Sequence, residues 1–132
     1  MEPTARMIDL PQELEQEIAR EAERRGQTWS SVTTDLLTEG VRMRRVPGIV
    51  FGDGPTGRRA VVAGSGIDVW EVIATWQEGS RDFEQLRRNY DWLSEAQLRA
   101  ALRYYELYSE EIEARLERER RWTPETIRID MK

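Results

Sequence analysis

The sequence predicts a mainly helical protein with short β elements, organised as two small folded parts and a tail. Apolar residues recur at every third or fourth position through most of the chain, which is the helix period. Several of these stretches open on a capping residue or close on a glycine. Apolar runs also flank a Gly/Pro cluster around residues 49–62, the pattern of a small hairpin.

Each element has its own local reason. Residues 5 to 10 suit one short extended segment, and Pro11 suits the first turn of a helix, where its missing amide hydrogen costs nothing. Leu14, Ile18 and Ala22 share one face of that helix until Gly26 stops it. Thr28 is a good cap for the next helix, whose apolar face carries Val32, Leu36, Leu37 and Val41. Arg42, Arg44 and Arg45 favour its negative end. After Val46, Pro47 and Gly48, the strands of a hairpin read as Ile49 to Phe51 and Arg58 to Val62, with Gly64 and Gly66 making a second loop. Asp68 with Glu71 reads as a capping pair ahead of Val69, Val72, Ile73 and Trp76, and Gly79 ends that helix. Ser80 is placed to cap another, with Phe83, Leu86 and Tyr90 inward. Ser94 with Gln97 repeats the capping box for a last helix that runs to Arg121, roughly 40 Å long. The expected boundaries are 1–46, 47–121 and a tail of 122–132.

Composition narrows the chemistry. The chain has 132 residues, 20 basic against 25 acidic, and a formal charge of -5. It holds no Cys and no His, which excludes Cys/His zinc sites, thiol nucleophiles, Ser-His-Asp triads and any histidine acid or base. Lys132 is the sole lysine, so the remaining basic residues are arginines. Guanidinium forks suit phosphates and carboxylates but make poor tunable bases. No apolar run approaches the ~20 residues needed to span a bilayer. Met1-Glu2-Pro3-Thr4 lacks the start of a signal peptide, and a cytoplasmic location is expected.

The first part is expected to pair with a second copy. About 46 residues with two short helices and one strand bury too little apolar surface to offset chain entropy, and a lone strand leaves its backbone groups open. Its order of elements, with Leu10-Pro11 entering the first helix and Gly26 to Ser31 opening the second, resembles the ribbon-helix-helix family. The resemblance implies a dimerisation module, to which Met7, Ile8, Leu10, Leu14, Ile18, Val32 and Leu36 are assigned. Members of that family read the DNA major groove with outward ribbon side chains. Here Ala5, Met7 and Asp9 would face the groove, a poor set of base readers, so dimerisation is the favoured role of the ribbon.

The second part, a hairpin followed by three helices with tight junctions, reads as a helix-turn-helix domain with a wing-like ribbon. The runs Val46 to Ala60, Asp68 to Ile73 and Leu93 to Tyr105 are similar to the uncharacterised domain of VapB-type antitoxins whose partners are PIN-like ribonuclease toxins. This resemblance covers about residues 47 to 116. It implies an antitoxin that neutralises such a toxin and represses its own operon.

Candidate DNA contacts are the amide-rich start of the second helix at Thr28, Trp29 and Ser30, the hairpin residues Arg58 and Arg59, and Arg99 with Arg103 on one face of the last helix. Each has a plainer reading. Capping explains Thr28 to Ser30, and Glu95 and Glu106 stand at ion-pair spacing from Arg99 and Arg103. Trp70, Trp76, Phe83, Tyr90, Trp92, Tyr105 and Tyr108 read mostly as core. Beyond Trp122 and Pro124, residues 126 to 131 alternate as an edge strand does, and in antitoxins of this kind the tail wraps the toxin. The toxin contacts are therefore Trp122, Ile127, Arg128, Ile129 and Met131, with Arg128 aimed at active-site carboxylates. A frayed tail is the plainer alternative.

A nuclease role for the chain itself is disfavoured: Asp68 and Glu71 have a capping explanation, and Asp53 sits in a turn. No phosphate-binding glycine loop is present. The reading is thus a homodimeric antitoxin, not an enzyme, without cofactor or metal. Its partners are a PIN-like ribonuclease and operator DNA, with no membrane. The competing classes are a stand-alone dimeric transcriptional regulator and a pure oligomerisation scaffold.

Overall fold

The computed structural model describes residues 3–55 and 57–121. These are mainly helical, with one small antiparallel sheet of two strands. The chain divides into two compact units, Met1–Val41 and Arg42–Lys132.

The first unit is built on α1 (Gln12–Arg25) and most of α2 (Trp29–Arg45). Pro11 stands immediately before α1, and Gly26 ends it at φ 65°, a left-handed turn that favours glycine. Thr28 caps α2: its Oγ1 accepts the Ser31 amide at 3.0 Å. The core is small, formed by Ile18, Ala22 and Val32 with Leu10 packed against them. Leu14, Leu36, Leu37 and Val41 are exposed.

The expected extended segment is not a strand in the single chain. Met7 is 100% and Ile8 80% exposed, and the one sheet among the described residues is that of the hairpin. A strand exists only where a neighbour takes its N–H and C=O groups, and residues 5–10 have none here.

In the second unit the last turn of α2 leads into the hairpin of β1 (Ile49–Gly54) and β2 (Gly57–Val62), in register from Ile49 opposite Val62 to Gly54 opposite Gly57. Gly48 enters the hairpin at φ 99°, where an added Cβ would lie 3.1 Å from Ala100. Then follow α3 (Val69–Glu78), α4 (Phe83–Asn89), α5 (Glu95–Leu107) and α6 (Ser109–Arg121). One face of each buries a common core: Ile49, Val62, Val69, Val72 and Ile73 from the hairpin and α3, and Leu86, Leu98, Tyr104, Ile112 and Leu116 from the rest.

Three local expectations are corrected. Ser80 does not cap α4. Ser80 and Arg81 occupy the left-handed region, at φ 60° and 58°, and Asp82 is the cap, accepting the Glu84 amide at 3.0 Å. The backbone after α3 needs this turn to satisfy its carbonyls: the Arg81 amide reaches back to Trp76 at 2.8 Å. The last helix is not continuous to Arg121. It breaks at Tyr108, giving two helices where one was expected. A straight helix would carry Ile112 and Leu116 away from the core at 1.5 Å per residue; the break lets both be buried. The side chain of Asp68 makes no cap on α3, because it is used across elements as described below.

The capping box of Ser94 and Gln97 forms in full, and the Gln97 side chain also donates to the Ala63 carbonyl at 3.1 Å. No described helix is long and apolar enough to cross a membrane.

Candidate functional site

The four arginines singled out for DNA are all engaged, in two different ways. Arg99 donates to Glu95 at 2.9 Å and lies over the Phe83 ring, 4.3 Å from its centroid. Arg103 pairs with Glu106 at 3.3 Å. Both pairs are well exposed on the outer face of α5, where an ion pair contributes about 0–1 kcal/mol and is easily exchanged for another anion. Arg58 on β2 pairs with Asp53 directly opposite on β1, at 3.1 Å, and also donates to the Phe51 carbonyl.

Arg59 differs. Its guanidinium forms an ion pair with Asp68, and its Nε donates to the Asp53 carbonyl at 3.2 Å. Asp68 is buried, 7% exposed, and also accepts the indole N–H of Trp70 at 2.9 Å. Removing Arg59 from this pair would leave a buried charge uncompensated, which costs about 3–5 kcal/mol. Proximity to phosphate does not recover that as readily as at Arg99 or Arg103.

Two further polar clusters hold α6. In the first, Arg42 donates to the Tyr104 hydroxyl at 2.8 Å and to Glu111 at 2.5 Å, while Tyr104 donates to the other oxygen of Glu111. The Arg42 guanidinium also lies 4.3 Å from the centroid of the Tyr108 ring. Burial and the Glu111 hydrogen bond push the Tyr104 phenol well above its ordinary range. Burial works against the charge on Arg42, yet the hydrogen bond and charge of Glu111 outweigh it and raise its pKa. In the second cluster Tyr105 and Gln77 both donate to Glu113, which lowers the carboxyl and raises the phenol.

A shallow groove of about 400 Å³ runs between α3 and α6, with Trp70, Ala74 and Leu116 as its apolar part and Glu78, Glu119 and Arg120 at its polar part. Among the described residues no three acidic side chains are gathered as a metal site.

Thr28, Trp29 and Ser30 stand at the start of α2, in the first unit, and the Thr28 hydroxyl is occupied as the cap. Of the dimerisation set, Ile18 and Val32 are buried within the first unit, Leu10 packs beside them, and Met7, Ile8, Leu14 and Leu36 are exposed. Trp122, Ile127, Arg128, Ile129 and Met131 lie outside the described residues. Of the aromatics expected in the core, Trp70, Trp76, Phe83, Tyr90, Tyr105 and Tyr108 pack against it, but Trp92 is 59% exposed in the turn before α5. Its ring meets that of Tyr90 in a T-shaped contact, 6.2 Å between centroids, while Leu93 beside it takes the buried position.

Sequence reasoning missed Asp68 as a cross-element partner and missed Tyr104, Glu111 and Glu113 altogether. The capping pattern of Asp68 and Glu71 hid the first. A continuous helix through Tyr108 hid the others, since their meeting depends on the bend.

Residues 49–105 match the family model described as Protein of unknown function (DUF433). The match begins at the first residue of β1 and ends within α5, so it covers less than half of the chain and omits α6. No curated protein and no solved structure matches.

Proposed function

We propose that this chain is the cytoplasmic antitoxin of a type II toxin-antitoxin pair. Residues 1–46 form a ribbon-helix-helix-like dimerisation module, and residues 47–121, the hairpin with α3–α6, are a winged helix-turn-helix-like domain that binds operator DNA. Residues 122–132 bind and neutralise a PIN-like ribonuclease toxin.

The observation that carries the DNA-binding half is the outer face of α5. Arg99 and Arg103 stand four residues apart there, each ion-paired to an exposed glutamate that a phosphate can replace, and the Phe83 ring under Arg99 leaves its charge in place for that exchange. With a net charge of -5 the chain gains no long-range attraction to DNA, so affinity must come from such local patches and fall steeply with salt. The dimer half is supported by the three-residue core of the first unit, with Leu36, Leu37 and Val41 of α2 exposed beside it. The toxin half rests on the sequence resemblance of residues 47 to 116 and on the alternation of residues 126 to 131.

The test is co-expression with the nuclease of the adjacent reading frame. The full chain is expected to co-purify with it and rescue growth, and deletion of residues 122–132 is expected to abolish both. If the truncated chain still rescues, the tail assignment fails. If the full chain has no nuclease partner but shifts a DNA fragment from upstream of its gene, the stand-alone regulator is the correct reading. No shift at low salt removes the DNA-binding half.

A further inference from the structure

We infer that Asp68 is a positioning residue that fixes how the β1–β2 hairpin is carried on α3, and that the half-buried Arg59 serves this buried carboxylate rather than a nucleic-acid phosphate. The second clause rests on the DNA-binding reading above; the first does not.

The junction is joined through backbone and side chains together. The Val62 amide at the end of β2 donates to the Ile67 carbonyl at 2.8 Å, and Val61 and Asp68 form an isolated antiparallel bridge. The Asp68 side chain then reaches Arg59, two residues before Val61, and the Trp70 indole on the first turn of α3. Behind it the Trp70 ring lies under the guanidinium of Arg115 on α6, 4.9 Å from the ring centroid, and Arg115 is itself held by Glu119 at 2.8 Å. A hairpin of two strands is marginal by itself and needs such packing to hold one orientation.

Asp68 stands at the N-cap of α3 but makes no side-chain cap, so capping does not account for its charge. It is the buried charged residue among those described, and its carboxylate has two partners on two elements. Arg58 and Arg59 are consecutive on β2 and therefore project to opposite faces of the hairpin. Arg59 faces the junction. Arg58 is paired with the exposed Asp53 on the strand opposite. Exchanging Asp53 for a phosphate leaves a carboxylate in water, whereas exchanging Asp68 leaves one buried.

The experiment uses the full chain and three variants: Asp68→Asn, Arg59→Met and the double substitution. Amide hydrogen exchange is read across the hairpin, and affinity for the upstream DNA fragment is read over a salt series. Each single variant is expected to raise hairpin exchange at least tenfold and weaken DNA binding with the salt slope unchanged. The double variant removes both charges together, so it is expected to restore hairpin protection and affinity to within about threefold of wild type.

Two results would overturn the inference. Unchanged hairpin exchange in Asp68→Asn removes the positioning role. A double variant with a protected hairpin but a salt slope reduced by about 0.9 shows Arg59 on a phosphate. If the wild-type chain binds no DNA, the operator reading fails and the exchange data still decide the role of Asp68.

Discussion

Tyr104 and Glu111 are joined hydroxyl to carboxylate across the break between α5 and α6, with Arg42 from the end of α2 donating to both. One buried phenol thus ties three helices at the point where the chain bends. Its ring is fully buried in the core while its hydroxyl faces the charged pair, so it serves as packing and as polar partner at once.

Tyr104→Phe keeps the ring and the direct Arg42–Glu111 contact, and is expected to cost about 1 kcal/mol. Tyr104→Ala also removes the ring from the core and is expected to cost about 3–5 kcal/mol. Urea unfolding of both variants checks the difference; equal losses would mean that the hydroxyl dominates.

Glu113 makes the acid limb of stability testable. Its folded pKa lies below the ordinary 4.5, so its contribution is present above that value and is lost as pH falls through the folded pKa. The thermal midpoint of wild type is expected to drop more steeply below about pH 4.5 than that of Glu113→Gln. The effect is modest, because the carboxyl is only partly shielded from solvent.

The alkaline limb follows from the tyrosines. Tyr104 and Tyr105 titrate above the ordinary 10.0 in the folded chain. Their contribution is complete below that value and is lost as pH rises through the raised pKa. Ultraviolet titration of phenolate is expected to show these two ionising above 10.0, and Tyr104→Phe to flatten the loss of stability above about pH 10.

Ser94→Ala removes one half of the capping box at the start of α5 and is expected to cost about 0.5–2 kcal/mol. Ser94→Asp retains an acceptor for the Gln97 amide and should lie close to wild type. Chemical denaturation of the pair separates the cap from any other role of the hydroxyl.

Ser80→Gly is expected to stabilise the chain by about 0.5–1 kcal/mol. The residue sits at φ 60°, which costs a non-glycine side chain about 1–2 kcal/mol, and part of that gain is offset by the freer unfolded chain. A higher denaturation midpoint checks this.

Much of the local structure was legible because its causes are local. Gly26 and Gly79 end helices, Thr28 caps α2, Ser94 and Gln97 form their box, and the glycines around Asp53 give the hairpin, all from neighbours within four residues. The absence of Cys and His likewise bounds the chemistry from composition alone. Tertiary structure decided what depends on distant partners. The turn at Ser80 and Arg81, the break at Tyr108, the exposure of Trp92 and the use of Asp68 each follow from where another element packs. The same holds for the arginines. Sequence spacing finds the glutamates that hold Arg99 and Arg103, because helical neighbours are three or four residues away. It does not separate Arg58 from Arg59, since one meets an exposed carboxylate and the other a buried one. Only the fold sets that difference in burial, and burial sets how firmly each charge is held.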